Sequence, residues 1–438
     1  SAILIQMGQI QNISELAMND SRRDALAIAE AGYEAINVGA SLARKLVIKN
    51  GELCIGDKTY RLAGRRVFFV GVGKCAFTAS GAIENLFSNY LEGGIALDVS
   101  SVGHEHLTKI EMHIGTHPLP SEVNVRATER IIEFLSGRRE DDLIIFLISG
   151  GGSVLLCSPP ANMTYADESA LWRELTARGA GIQEINTVRK HLSRARGGGL
   201  AAASYPAEVI SLIVSDVPGN NIEYIASGPT VRDSSTVDDA RAVLARYSIA
   251  LPESIDFVET PKEERYFERA TNVLFLTNND ALSAMRDEAA RRGYAAEIAD
   301  DRYTGEAREV GRGIVHLLHD AAPKTVRLYA GESTVTLDTR TRARGIGGRN
   351  QETALAALKD IRVGELILPF ASDGHDNTDH AGAIGDDLAR AHALAQNLSI
   401  EEFLSAHRSY DFFSTTGDAL QTGYTGSNVS DLIIALKI

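Results

Sequence analysis

Apolar residues along this chain come in short unbroken runs that stop at glycine, serine or acidic residues. The clearest run is Leu143–Ile148, which ends in Ser149-Gly150-Gly151-Gly152-Ser153 before apolar residues resume. A run of this length, bounded by glycines and without alternation, predicts a strand buried on both faces, as in a parallel sheet. The pattern recurs. Residues 66–70 run into Gly71-Val72-Gly73-Lys74-Cys75-Ala76, and 209–214 into Ser215-Asp216. Residues 273–277 lead to Asn278-Asn279-Asp280, 326–329 to Gly331-Glu332-Ser333, and 366–370 to Ser372-Asp373-Gly374-His375-Asp376. Thr425-Gly426-Ser427-Asn428 precedes a terminal strand at 432–436.

Between these runs the period changes to that of a helix. A capping box from Ser21 to Asp24 is followed by Ala25, Leu26, Ile28, Ala29, Tyr33 and Ile36 at the spacing of a packing face. The turn at 116–120 leads to a helix near 125–135, and 345–352 opens one that runs through Lys359. Further on, Ile185, Val188 and Leu192 face a core, while Asn186, Arg189, Lys190 and Ser193 share the other side. From about 251 to 268 the pattern breaks at Pro252, Pro261 and the charged run 262–265, which predicts a domain boundary. The expectation is an α/β protein of two α/β/α domains, 1–258 and 259–438, with mostly parallel sheets and an active-site cleft between them. No solenoid period or low-complexity tract is present.

Composition narrows the function classes. The net charge of −14 argues against nucleic acid or an anionic membrane as a partner. It also means that an anionic substrate must be held by local positive groups. Cys54, Cys75 and Cys157 are far apart and odd in number, which suggests a reducing compartment and no structural zinc. No apolar run reaches membrane-spanning length. The opening S-A-I-L-I-Q-M has no basic region and too short an apolar stretch for a secretion signal, so a cytoplasmic location is expected.

The strand ends carry the candidate chemistry. A turn of three glycines between two serines lets backbone N–H groups approach a phosphate or carboxylate closely; it would also serve as a tight packing turn. Gly71-Val72-Gly73-Lys74-Cys75-Ala76 resembles a dinucleotide-binding turn, but Asp98 lies farther on than the usual spacing of about 20 residues. It is not a Walker A loop, because Phe68 and Cys75 stand where Gly and Ser or Thr are required. Lys74 sits just past a strand, where α/β proteins place chemistry. Arg189 and Lys190 could supply positive charge to an anion, and Asp216 is a candidate magnesium ligand or hydroxyl-orienting group. His104, His106, His113 and His117 tempt a metal reading, but no carboxylate or cysteine completes it. Ser153 is not in a nucleophile elbow. The segment 373–380, D-G-H-D-N-T-D-H, fits neither an EF-hand nor a zinc hydrolase. Phosphoryl transfer fits the inventory better: the glycine loops at 150–152 and 345–348, Lys74, Arg349, and the carboxylates Asp216, Glu332 and Asp373.

At these residues the chain resembles the glycerate 2-kinase family. The motifs are S-G-G-G-S (149–153), E-I-N-T-V-R-K-H-L-S (184–193), S-D-V-P-G (215–219), I-A-S-G-P-T (225–230), G-G-R-N-Q-E (347–352), S-D-G-H-D-N-T-D-x-A-G-A (372–383) and T-G-S-N-V-S-D-L (425–432). The resemblance covers nearly the whole chain, in the family's order. It implies a larger N-terminal domain, a C-terminal MOFRL domain, and a kinase fold unrelated to P-loop kinases. It also implies ATP- and Mg²⁺-dependent phosphorylation of D-glycerate, typically to 2-phosphoglycerate. The family's key lysine and arginine fall on Lys74 and Arg349, which would clamp the transferring group and the substrate. Ser149, Gly150, Gly151, Gly152, Ser153, Asn186, Arg189, Lys190, Asp216, Asp373 and Asn428 are the implied nucleotide and substrate contacts. Asp216 and Glu332 are the implied metal ligands, and a homodimer is compatible with the resemblance. The family often has Asp where this chain has Asn220, which puts the metal shell in doubt. Relatives have also been labelled hydroxypyruvate reductases, so an NAD(P)H-dependent reductase is one alternative. A non-catalytic sugar-acid binding protein is another.

Overall fold

A computed structural model describes residues 8–100, 107–217, 219–337 and 345–438. The chain forms two compact units. One is Val38–Leu276; the other joins the segment ending at Asn37 to Thr277–Ile438.

The first unit opens with an antiparallel meander, β1 (Leu46–Lys49), β2 (Glu52–Ile55) and β3 (Lys58–Arg61). Six strands follow: β4 (Val67–Val72), β5 (Leu91–Asp98), β6 (Ile110–Ile114), β7 (Leu143–Ile148), β8 (Glu208–Val214) and β9 (Ala270–Leu276). They lie in the order β6-β5-β4-β7-β8-β9, and every neighbouring pair is parallel. The unbroken apolar runs are explained by this arrangement, since all residues of β4 and β7 are buried. Phe68, Val70, Ile144 and Phe146 pack with Ala127, Ile131 and Leu135 of the helix Glu122–Leu135. Each such large side chain contributes on the order of 1.5–3 kcal/mol by leaving water. The chain winds outward from β4 to β6, then returns to the far side of β4 with β7. The strand order therefore reverses between β4 and β7, which makes the ends of these two strands the switch point of the sheet.

The second unit contains β10 (Ala295–Glu306), β11 (Thr325–Thr334), β12 (Glu365–Ala371), β13 (Gly382–Ala383), β14 (Gly385–Asp386), β15 (Ala419–Leu420) and β16 (Asp431–Lys437). Their order is β10-β11-β16-β12-β13-β15, with β14 also paired to β12. The α/β class is as expected, and the first sheet is parallel throughout. The second sheet departs from the mostly parallel expectation. Strands β10, β11 and β12 run one way, but β16 is inserted antiparallel between β11 and β12. The chain enters β16 at the sheet end where β12 finishes, so no crossover is needed.

The helix Asp20–Ile36 buries Ala25, Leu26, Ile28, Ala29, Tyr33 and Ile36, as its periodicity predicts. Its N-cap is Asn19 rather than Ser21, because the Asn19 side chain accepts the Arg22 N–H at 2.8 Å. This helix belongs with the C-terminal half. Arg22, fully buried, pairs with Asp386 at 2.7 Å and Asp418 at 2.8 Å, and Gly32 lies against Met285. The proline- and charge-rich stretch near 251–268, taken in the sequence as a boundary, returns to the first unit. Val258 N–H donates to His191 O at 2.9 Å, Lys262 Nζ donates to Asp233 O at 3.0 Å, and the chain continues into edge strand β9. The compact units thus divide differently from 1–258 and 259–438. Among the described residues, no helix is long and apolar enough to cross a membrane.

Candidate functional site

In the first unit, the loops after β4 and β7 meet at the switch point. Lys74 N–H donates to Gly150 O at 3.0 Å, and Cys75 N–H donates to the Ser149 hydroxyl at 3.1 Å. Gly73 has φ +112, and a Cβ there would lie 2.3 Å from Ser149 Oγ. Only glycine permits this contact. Gly151, at φ +83, turns the chain beside Lys74. A Cβ at Gly151 would be 3.3 Å from Lys74 Cγ and 3.9 Å from His117 Nε2. Ser149 is fully buried and ties the two loops, so its hydroxyl is structural; Gly150 and Gly152 are buried as well, and Gly151 is the partly exposed glycine of the turn. Gly152 lies under Ala226, whose Cβ would be 2.5 Å from a Cβ at 152.

Ala226 and Ser227 both hold left-handed backbone, φ 52 and φ 59, a conformation that costs each about 1 kcal/mol or more. Ser227 is fully buried; its hydroxyl meets Asn186 Oδ1 at 2.7 Å and the Ser153 hydroxyl at 2.9 Å. The strained turn thus links Asn186 to the glycine loop. Asp216 follows β8, the next strand over. Burial pushes the Cys75 thiol pKa up; the Ser149 hydrogen bond and Lys74 work against this, and Asp98 and Asp216 add to it. Lys74 and Asp216 follow the C-terminal ends of β4 and β8, which run parallel, so both lie at the same sheet end.

Other predicted residues are differently employed. Lys190 is 3% exposed and donates to Asp233 at 3.0 Å, with Glu223 at 3.9 Å. Arg189 lies over the Trp172 ring rather than on a solvated face. Asn220 adopts φ 56, which Asn tolerates well. His113 pairs with Glu111 at 2.7 Å, His117 stands beside Gly151, and His104 and His106 lie outside the described residues. Among the described residues, no three His, Cys, Asp or Glu side chains gather as metal ligands. The three cysteines are free.

Asp98 bears on the dinucleotide alternative. It is 1% exposed and accepts Phe77 N–H at 3.0 Å and Val99 N–H at 2.6 Å. Burial raises its pKa to about 6 against these donors. Its carboxylate therefore occupies the start of the helix Ala76–Leu86, where a dinucleotide would put its pyrophosphate.

In the second unit, Arg349 begins the helix Arg349–Ala357. Its guanidinium binds Asp431 and, at 3.0 Å, Glu332. Burial works against the charge, but Asp431 and Glu332 raise the Arg349 pKa above its ordinary value. Glu332, predicted as a metal ligand, is here a partner of Arg349. Asp376 accepts Asn350 N–H at 3.0 Å and Gln351 N–H at 2.8 Å, and so closes the start of this helix. Gly348 is required beside it, since a Cβ would fall 1.9 Å from Asp376 O. Asp373 accepts His375 N–H at 3.0 Å, and its carbonyl accepts Thr425 N–H at 3.2 Å. Val429 N–H donates to Ser372 Oγ at 2.9 Å, so the loops carrying Asp373 and Asn428 are tied together. The sequence reading missed Asp431 as the partner of Arg349; both lie inside quoted motifs, but nothing local pairs them.

Burial, then Asp431, pushes the Asp376 pKa up to about 7, and burial raises Asp431 to about 6 despite Arg349. A carboxyl whose folded pKa is raised holds its proton better in the folded chain. Its contribution to stability is therefore present at low pH and lost as pH rises from the ordinary carboxylate range through the folded pKa. Unfolding midpoints should fall between about pH 4 and pH 7, and Asp376→Asn should flatten that fall. Equal slopes in the two proteins would remove Asp376 as its source.

Residues 24–258 match a domain of unknown function (DUF4147), and residues 325–431 match the MOFRL family. Pyrococcus horikoshii glycerate 2-kinase is 33% identical, over 95% of this chain and 97% of its own. An Agrobacterium vitis protein that carries the provisional name hydroxypyruvate reductase is 41% identical, over 84% of this chain and 86% of its own. The crystal structure of Thermotoga maritima glycerate kinase superposes with a TM-score of 0.82 at 30% identity, covering 95% of this chain and 99% of that one. The chain belongs to the glycerate kinase family, with the DUF4147 and MOFRL domains in sequence.

Proposed function

We propose that the protein transfers the γ-phosphoryl group of ATP to D-glycerate, at the 2-hydroxyl. The observation that carries this reading is the meeting of Lys74 with the Ser149–Ser153 loop at the switch point of a parallel sheet. A side-chain-free loop beside a lysine suits a polyphosphate, which needs close backbone approach and positive charge. The names of the relatives support the same chemistry.

In the transfer, the glycerate oxygen forms a bond to the γ-phosphorus and the bond to the bridging oxygen breaks. ADP leaves with that electron pair, and the hydroxyl proton passes to solvent. Lys74 neutralises charge on the phosphoryl oxygens, and the glycine loop admits the phosphates. Arg349 is the second proposed cation, carried over from the family resemblance. Mg²⁺ keeps several waters and needs only one or two protein carboxylates when it rides on phosphates. Asp216 fits that need, whereas Glu332 is engaged with Arg349. Bound there, the ion would neutralise the bridging charge.

The test passes the product of purified protein, D-glycerate, ATP and Mg²⁺ directly to enolase. An immediate phosphoenolpyruvate signal is expected. ADP release without that signal moves the phosphoryl group to another hydroxyl or substrate. No ADP release, with NADH oxidation on hydroxypyruvate, overturns the kinase reading.

A further inference from the structure

Behind the Ser153 end of the glycine loop lies a charged group that the transfer does not use. Arg196 is 1% exposed; its Nη2 donates to Ser153 O at 2.6 Å and to the Glu168 carboxylate at 2.7 Å. Glu168, fully buried, also accepts the Trp172 indole N–H at 3.1 Å and faces the Cys157 thiol at 3.5 Å. The Arg189 guanidinium stands over the Trp172 ring, 4.8 Å from its centroid. The side chain of Arg189 is half-buried. Burial and the charge of Arg196 lower its pKa to about 10, and Glu168 opposes them.

Arg196 bonds Glu168 directly, and Arg189 stands over Trp172, which donates to the same carboxylate, so two guanidinium groups lie around one carboxylate and leave one positive charge in excess. Their hydrogen bonding is also incomplete. Arg189 Nε and Arg196 Nε and Nη1 are buried without a hydrogen-bond partner among the described residues. Excess charge and unmet donors are both costly inside a protein unless an anion balances them. The arrangement adjoins the loop at two points. Arg196 holds the Ser153 carbonyl. Asn186, one helical turn before Arg189, reaches Ser153 through Ser227.

We propose that Arg189, backed by Arg196, holds the carboxylate of the acid substrate at the Ser153 end of the glycine loop, an inference that rests on the kinase reading above. One excess charge matches a monoanion, whereas a triphosphate demands more. A planar guanidinium fork matches a carboxylate in two parallel hydrogen bonds. Arg189 is the substrate contact. Arg196 is a positioning residue, which acts by repelling Arg189 outward and anchoring Ser153.

Three proteins are compared: wild type, Arg189→Gln and Arg189→Lys. Their KM values for D-glycerate and ATP are measured, together with calorimetric binding of D-glycerate and of its uncharged amide. Charge-assisted hydrogen bonds predict a loss of D-glycerate affinity of about 10- to 100-fold in Arg189→Gln. KM for ATP should stay within about twofold, and Arg189→Lys should recover only part of the loss. Wild type should bind the acid over the amide by a similar factor, a result that needs no variant to fold. An unchanged D-glycerate KM beside normal turnover overturns the subsite and leaves the kinase reading standing. A rise in KM for ATP instead, or equal binding of acid and amide by wild type, also overturns it. D-glycerate binding that is lost in Arg189→Gln, with no turnover in wild type, supports the subsite and removes the kinase reading.

Discussion

Lys74→Ala is expected to lower kcat by at least about 10²–10³-fold while the unfolding temperature stays near that of wild type. A fixed cation beside the transferring group stabilises charge that develops only in the transition state, and losing one such contact typically costs this much. The fold should tolerate the change for a local reason. Lys74 is bound into the site by its backbone N–H to Gly150 O at 3.0 Å, a bond that alanine keeps. The neighbouring core position is Cys75, fully buried and untouched by the substitution. Steady-state kinetics beside a thermal melt checks both halves. A kcat within about threefold of wild type would remove Lys74 from the chemistry.

Arg349→Ala should behave differently, and the structure is the reason. Read from the sequence, this substitution looks like a clean loss of activity with the fold intact. Yet Arg349 is the counter-charge of Asp431, itself 2% exposed, and of Glu332. Removing it takes the counter-charge from Asp431, whose charge already acts on the equally buried Asp376. Breaking a fully buried ion pair costs about 3–5 kcal/mol. The Arg349 side chain is 35% exposed, so solvent takes up part of that charge; a loss of roughly 2 kcal/mol and several degrees in Tm is expected. Activity should be lost as well. Arg349→Lys separates the two effects, because it restores a charge to Asp431 without the guanidinium fork. Recovered Tm with kcat still at least tenfold down supports a role in the chemistry, whereas recovery of both reduces Arg349 to a structural counter-ion.

How much of this was legible in the chain depends on range. β7 was read residue for residue, because a strand buried on both faces has a strictly local signature: six apolar residues and then glycine. The helix Glu122–Leu135 and the packing face of Asp20–Ile36 were legible for the same reason. By contrast, β10 escaped notice. It is an edge strand whose residues are mostly exposed or half-buried, so no apolar run marks it. The face carrying Arg189 and Lys190 reads as polar by spacing alone. Nothing in the spacing tells that Lys190 meets Asp233, or that Arg189 meets Trp172.

What the chain determined by itself was its set of strand ends, where local composition dictates both the buried run and the glycine turn after it. From these followed the α/β class, the candidate loops and Lys74. What only the tertiary structure decided was which charges balance which. Arg22 with Asp386 and Asp418, Arg349 with Asp431, and Arg189 and Arg196 around a single Glu168 are partners far apart in sequence. A buried charge is settled by whatever opposite charge the fold brings within a few ångströms, and no local pattern carries that information.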